Sequence, residues 1–290
     1  MEKPVIGGMG ELLWDMLPTG RQCGGAPANV VYHINQLGLP AFMISSVGND
    51  ADGDDLLAWL RTKGIDCRFI TRNNLPTGVV TVTLDNGIPS YEIHQPSAWD
   101  AIAVTQELMD ACRSFSAFVF GSLSQRCKES ELAIRNVMDR LPQSCLKVFD
   151  INLRQTFYSR EIIDASLSRS DVLKLNDEER VVLAEMFSLP NLETATLSAI
   201  ADKYNLKYVI LTLGAKGSAL YTPGQGLEYY PTEECKEVVD TVGCGDSFLA
   251  AWLVSVLNGK SPDDAMKRAS KVSAFVAGQK GAMPDYGGIQ

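Results

Sequence analysis

Asp240-Thr241-Val242-Gly243-Cys244-Gly245-Asp246-Ser247-Phe248 leads directly into an apolar segment that reads as a helix from Ser247 to Asn258. The nine residues therefore form a glycine-bearing turn that opens on a helix N-terminus. Gly243 and Gly245 let the backbone bend tightly and let a ligand approach it closely. The helix adds unpaired N–H groups and the positive end of its dipole, which together make an anion site. A carboxylate in such a site repels the anion, so Asp246 needs a task, and accepting a proton from an attacking hydroxyl is the natural one. A plain glycine-rich turn with Asp246 as its N-cap is the alternative on spacing alone.

Outward from this turn, strand-like and helix-like segments alternate. Strands are expected at Val5–Met9, Ala41–Val47, Ala117–Phe120, Lys147–Ile151, Val172–Leu175 and Tyr208–Leu213. Helices are expected at Ala28–Leu37, closed by Gly38, at Asp52–Lys63, closed by Gly64, and at Asp263–Gly278. Between them, Thr77–Leu84 and Ser90–His94 flank Asp85-Asn86-Gly87, the signature of a β-hairpin. A hairpin interrupting a β-α-β chain projects as a lid or an edge extension. The pattern predicts one doubly wound α/β domain over residues 1–290, with a mostly parallel central sheet flanked by helices and a small β insertion. Ligands of such sheets bind beyond the carboxyl ends of the strands, where the polar residues singled out below fall.

Composition narrows the partners. With 26 basic and 35 acidic residues the chain carries −9 and shows no basic stripe, which argues against nucleic acid but not against a nucleotide. The seven cysteines include no C-x-x-C pair, and no secretory pattern opens the chain, so a reduced, cytoplasmic protein is expected. Two histidines, His33 and His94, in unrelated contexts make a zinc site or a Ser-His-Asp triad improbable. No apolar run reaches the roughly 18 residues of a membrane helix. Gly259-Lys260-Ser261 lacks the leading glycine of a Walker motif, since Val254 stands there. Gly8-Met9-Gly10 lacks the third glycine of a dinucleotide fingerprint, since Leu13 stands there.

Three weaker constellations remain. Gly24-Gly25-Ala26-Pro27-Ala28-Asn29 opens the first long helix, and Asn29 offers the paired donor and acceptor that a polyhydroxylated ligand needs. Asp15, upstream, can accept from two hydroxyls; a structural turn explains the same residues equally well. Asn176 and Glu179 share a helix face and suit water around Mg²⁺, but acidic residues also favour any helix N-terminus. Thr212-Leu213-Gly214-Ala215-Lys216-Gly217 is a strand feeding a turn that can face a nucleotide.

In this order, from about Gly7 to Pro284, these motifs resemble the ribokinase-like (PfkB) carbohydrate kinase family. The Asp-Thr-x-Gly-x-Gly-Asp-Ser-Phe block resembles its C-terminal signature and Gly-Gly-Ala-Pro-Ala-Asn its sugar motif. Val47-Gly48-Asn49-Asp50, Asn176-x-x-Glu179 and Thr212-Leu213-Gly214-x-x-Gly217 match further family segments. The resemblance implies an ATP-dependent sugar kinase with a β lid formed near 11–23 and 66–98. It implies Asp246 as base, with Gly243, Cys244 and Gly245 lining the anion hole, and Asp15, Gly25 and Asn29 on the sugar. Asn176 and Glu179 would serve Mg–ATP, Thr212, Gly214 and Gly217 the nucleotide, and the backbone around Asp240 and Val242 an activating K⁺. Cys244 stands where the family usually has Ala. Ala26 and Pro27 replace the Lys-Gly typical of kinases acting on sugar phosphates, which favours an unphosphorylated sugar. Asp150-Ile151-Asn152-Leu153-Arg154, Phe120-Gly121-Ser122 and Ala98-Trp99-Asp100 are similar to fructokinases. Arg154 can touch sugar or phosphate, or sit in a structural ion pair. A 2-keto-3-deoxygluconate kinase, a nucleoside kinase and an inactive sugar sensor stay open beside fructokinase. An exposed lid strand invites a homodimer.

Overall fold

The computed structural model describes residues 3–17, 20–85, 88–235 and 237–287. Its elements in chain order are β1 (Ile6–Met9), β2 (Leu13–Leu17), β3 (Gly20–Gly24), α1 (Ala26–Gln36), β4 (Ala41–Gly48), α2 (Ala51–Thr62), β5 (Ile70–Asn73), β6 (Gly78–Asp85), β7 (Ile88–Ile93), α3 (Gln106–Ala111), β8 (Ala117–Gly121) and α4 (Lys128–Met138). There follow β9 (Leu146–Asp150), α5 (Arg160–Leu167), β10 (Val172–Asn176), α6 (Asp177–Phe187), α7 (Glu193–Tyr204), β11 (Tyr208–Thr212), β12 (Ser218–Thr222), β13 (Gly226–Tyr230), α8 (Cys244–Leu257) and α9 (Pro262–Ala277).

Nine strands form one sheet in the order β13-β12-β11-β10-β9-β8-β1-β4-β5. From β11 to β5 every pair is parallel, and β12 and β13 add an antiparallel edge. The order reverses direction at β1, so the crevice beyond β1 and its neighbours is a topological switch point. Parallel strands buried on both faces are apolar throughout, with alternate residues entering opposite cores. Val148, Val172 and Ile210 pack with α1, α2, α8 and α9. Phe149, Leu173 and Leu211 pack on the other face with α4 to α7. Helix α8 is buried from Ser247 to Ser255, between the sheet, α1 and α9, which explains its unbroken apolar run.

The second sheet has the order β3-β2-β6-β7. Strands β6 and β7 pair antiparallel from Val80↔Ile93 to Asp85↔Ile88, as the hairpin pattern predicts; Asn86 and Gly87 lie outside the described residues. The stretch 66–98 divides between the sheets, because β5 pairs with β4 through Ser45↔Ile70 and extends the large sheet. Arg126 ties the small sheet to the body. Its guanidinium, stacked 3.9 Å from the Trp99 ring, pairs with Asp100 at 2.7 and 2.8 Å and donates to the His94 carbonyl just beyond β7. The Ala98-Trp99-Asp100 block is thus a buried latch.

Boundaries differ from the sequence reading in one place that matters. Helix α8 starts at Cys244, with Gly243 as N-cap at φ 79°, so Gly245 and Asp246 lie within its first turn. Short polar residues before an apolar run look like loop in sequence. Here they are helical because Gly243 turns the chain against Ala282, whose carbonyl leaves no room for a side chain.

Candidate active site

Parallel strands place their carboxyl ends along one edge, and the candidate residues gather there. Glu11 follows β1, Asp150 ends β9, Asn176 ends β10 and Thr212 ends β11. The first turn of α8 faces this edge.

Asp246 is held by one side chain: Asn29 Nδ2 donates to its Oδ2 at 2.7 Å. Burial pushes the Asp246 pKa up to about 6, opposed by the Lys174 charge and by the Asn29 hydrogen bond, while Asp150 adds to the rise. Asn29 is 5% exposed, and its Oδ1 is buried without a partner among the described residues. Gly25 is the N-cap of α1 at φ 111°, where a Cβ would strike the Glu11 carbonyl.

The anion site of the turn is narrower than the spacing suggests. The Cys244 N–H already donates to the Thr241 carbonyl at 3.3 Å. The N–H groups of Gly245 and Asp246 have no protein acceptor among the described residues. Asp240 pins the turn, its carboxylate accepting from Val242 N at 3.0 Å and from Gly281 N at 3.1 Å, while its main-chain carbonyl accepts from the Cys244 thiol at 3.9 Å. Burial pushes the Cys244 thiol up to about 11, so little thiolate forms at neutral pH.

Asp15, on β2 of the small sheet, faces the same cleft. Its carboxylate has no protein hydrogen-bond partner among the described residues, and burial raises its pKa to about 6 against the pull of Arg154. Arg154 is exposed, donates only to the Leu153 carbonyl and makes no ion pair among the described residues. Its charge lowers the pKa of Glu11, Asp15 and Asp246, each against the larger rise caused by burial.

Asn176 and Glu179 form a reciprocal capping box on α6, each side chain accepting from the other's N–H at 2.8 Å. The second Glu179 oxygen accepts from Leu153 N at 2.9 Å, so each oxygen keeps a lone pair. No group of three or more His, Cys, Asp or Glu side chains gathers as a metal site among the described residues. That donor set fits a divalent ion held mainly by phosphate oxygens and water, which Glu179 would meet through water. Thr212 Oγ1 donates to the Leu175 carbonyl at 3.4 Å. Gly214 borders open space at φ 57°, whereas a Cβ on Gly217 would stand 2.1 Å from the Tyr230 carbonyl, so the turn after β11 packs tightly on one side only.

A family model for pfkB family carbohydrate kinases matches residues 18–286. The chain belongs to the pfkB family of carbohydrate kinases. It is 30% identical over 316 residues to the Arabidopsis thaliana protein named "Probable fructokinase-4", covering 98% of this chain and 94% of that one. Among solved structures, the Xylella fastidiosa fructokinase with bound ATP superposes with a TM-score of 0.84 at 24% identity, covering 97% and 94% of the two chains. A Vibrio cholerae fructokinase double mutant with fructose, ADP and potassium ion bound gives a TM-score of 0.82 at 23% identity, covering 98% and 96%. These two likenesses establish the ribokinase-like fold.

In this carbohydrate kinase three features escape a reading along the chain. Lys174, inside the apolar strand β10, pairs with Asp150 at 2.9 and 3.0 Å and is 8% exposed. Glu11 is 2% exposed, and burial raises its pKa to about 7. A charged residue in a buried stretch was the available signal for both. The third is a cleft of about 470 Å³ between the loop before α8 and helix α9, lined in part by Cys235, Glu237, Lys271, Ala274, Phe275 and Gly278. Ser273 of α9, beside the lining residue Ala274, donates to the Cys244 carbonyl at 3.1 Å in the first turn of α8.

Proposed function

We propose that this carbohydrate kinase transfers the γ-phosphoryl group of ATP in line to a primary hydroxyl of an unphosphorylated sugar, fructose first, with Asp246 as the base. The observation that carries the reading is the pairing of Asp246, oriented by Asn29, with the adjacent unpartnered N–H groups of Gly245 and Asp246. A base and an anion cradle within one helical turn are what hydroxyl-to-phosphate transfer needs.

In this reading the sugar lies between the two sheets. Asp15 accepts from its hydroxyls, the free Asn29 Oδ1 accepts from a further one, and Arg154 reaches over the rim. Asp246 takes the proton of the attacking hydroxyl as the new O–P bond forms and the bond to the ADP oxygen breaks. The N–H groups of Gly245 and Asp246, with the dipole of α8, stabilise charge on the transferring phosphoryl oxygens. Asn176 and Glu179 orient the metal-bound phosphates, Thr212 and Gly214 flank the nucleotide, and the cleft beside Phe275 seats its base. Bound Mg²⁺ supplies neutralisation of the phosphate charge. Potassium at the Asp240 and Val242 carbonyls would firm the turn; the potassium ion of the Vibrio cholerae structure supports its inclusion. The small sheet closes over the sugar and excludes water, the competing acceptor, and a partner copy can pair on its open edge.

Arg154 gives one observation in favour of a second reading. A free guanidinium at the sugar cleft suits an acidic sugar such as 2-keto-3-deoxygluconate. An ADP-release assay with Mg–ATP decides the matter, using fructose, ribose, 2-keto-3-deoxygluconate and adenosine as acceptors, with and without K⁺ and with Asp246→Asn as blank. Fructose turnover is expected. Turnover on another acceptor alone moves the substrate, and none on any acceptor rejects the kinase reading for these compounds.

A further inference from the structure

Lys174 is a lysine where β10 should carry an apolar residue. By strand parity it shares a face with Val172, which enters the core under α1 and α8. Directly across the register stands Asp150, on the same face as Val148. An ammonium here is taken out of water, and the two Asp150 oxygens at 2.9 and 3.0 Å take up two of its three donors. The third side of the ammonium meets the first turn of α8. A Cβ built on Gly245 would lie 3.1 Å from Lys174 Nζ, so the second glycine of the turn is the gap through which the lysine reaches the helix. Asp246 is the next residue.

We propose that Lys174 is a positioning residue for the catalytic base: clamped by Asp150 and set against Gly245, its ammonium keeps Asp246 a carboxylate at neutral pH and fixes the charge around the phosphoryl slot. The inference rests on Asp246 being the base. The surrounding charges agree with it. Burial would lower the lysine's pKa, yet the carboxylates of Asp150, Asp246 and Glu179 outweigh it and hold Lys174 charged above its usual range. Asp246 is in turn faced by Lys174 on β10, by Asp150 and Arg154 at and after β9, by Glu11 after β1, and by Cys244 on its own helix. Lys174 is the largest lowering influence on Asp246, and Asp150 a raising one. The pair is therefore asymmetric towards the base: losing the cation and losing its counter-ion have opposite effects.

That asymmetry separates an electrostatic device from a simple buried ion pair. The experiment is a ¹³C titration of the Asp246 carboxyl carbon in the full ligand-free chain, assigned with Asp246→Asn, in the wild type, Lys174→Met and Asp150→Asn. The proposal expects the Asp246 titration to move up by about one pH unit or more in Lys174→Met and down in Asp150→Asn. Shifts in the same direction, or none, overturn it. Should Lys174→Met not fold, Lys174→Gln takes its place and must raise the Asp246 titration in the same way, since loss of the Asp150 charge lowers it whether or not Lys174 acts. The acid limb of kcat/KM, measured with the acceptor found above, should move with each titration. If the titrations diverge while the acid limb stays put, the charge coupling stands and the assignment of Asp246 as base falls.

Discussion

The Asn29 amide donates to the Asp246 carboxylate at 2.7 Å, joining the first turns of α1 and α8 across 217 residues of chain. The bond leaves Asn29 Oδ1 buried and free and aims one carboxylate oxygen, so a residue of the sugar motif also orients the base. Hydrogen bonds to a charged group are worth about 1.5–3 kcal/mol. Asn29→Ala is expected to lower kcat/KM by about 10- to 100-fold and to move its acid limb upward, because the amide favours the ionised carboxylate. A pH–rate profile beside the wild type checks both.

Asp246→Asn removes the proton acceptor but keeps its shape. Turnover should fall by about 10²- to 10⁴-fold, the usual worth of a positioned base. Sugar affinity, measured calorimetrically without nucleotide, should change by less than about threefold. Unchanged turnover would mean that another group takes the proton.

The wild-type pH dependence follows from the raised Asp246 pKa. A base must be unprotonated, and its pKa of about 6 in the ligand-free chain places the fall of kcat/KM on the acid side, approaching about tenfold per pH unit well below 6. A profile flat down to pH 4.5 would contradict the environment described for Asp246.

Glu11 predicts a stability effect of opposite sense to a salt-bridged acid. Its native pKa, near 7, lies above the ordinary 4.5, so the native state binds a proton that the unfolded chain releases. Stability is therefore lost as pH rises from about 4.5 to 7 and the cost stays in place above that. Glu11→Gln should raise the urea-derived stability at pH 8 by about 1–3 kcal/mol and flatten that part of the curve. At pH 4 it should change little.

Arg126 and Asp100 form a buried ion pair with both side chains 3% exposed. Arg126→Met leaves the Asp100 charge uncompensated and frees the His94 carbonyl beyond β7. A loss of about 3–5 kcal/mol in denaturant unfolding is expected, with sugar KM raised more than KM for ATP, since the small sheet loses its anchor.

How much of this was legible in the chain depends on the range of the interaction. The alternation of strands and helices, the antiparallel pairing of β6 with β7 and the glycine turn at 240–248 follow from local periodicity and backbone freedom, and they predicted the α/β sheet and its small companion. Asn176 and Glu179 show the limit of such reading, because a spacing of three serves a capping box and a water-held metal alike; the structure shows the capping box and leaves a lone pair on each Glu179 oxygen.

Sequence by itself determined the fold class, the family motifs and the turn that carries Asp246, because each is written in neighbours a few residues apart. Tertiary structure alone decided which groups act on Asp246. Asn29, Lys174 and Asp150 reach it from three elements distant in the chain, and a pKa or an orientation depends on distance in space and on excluded water, neither of which any local pattern encodes.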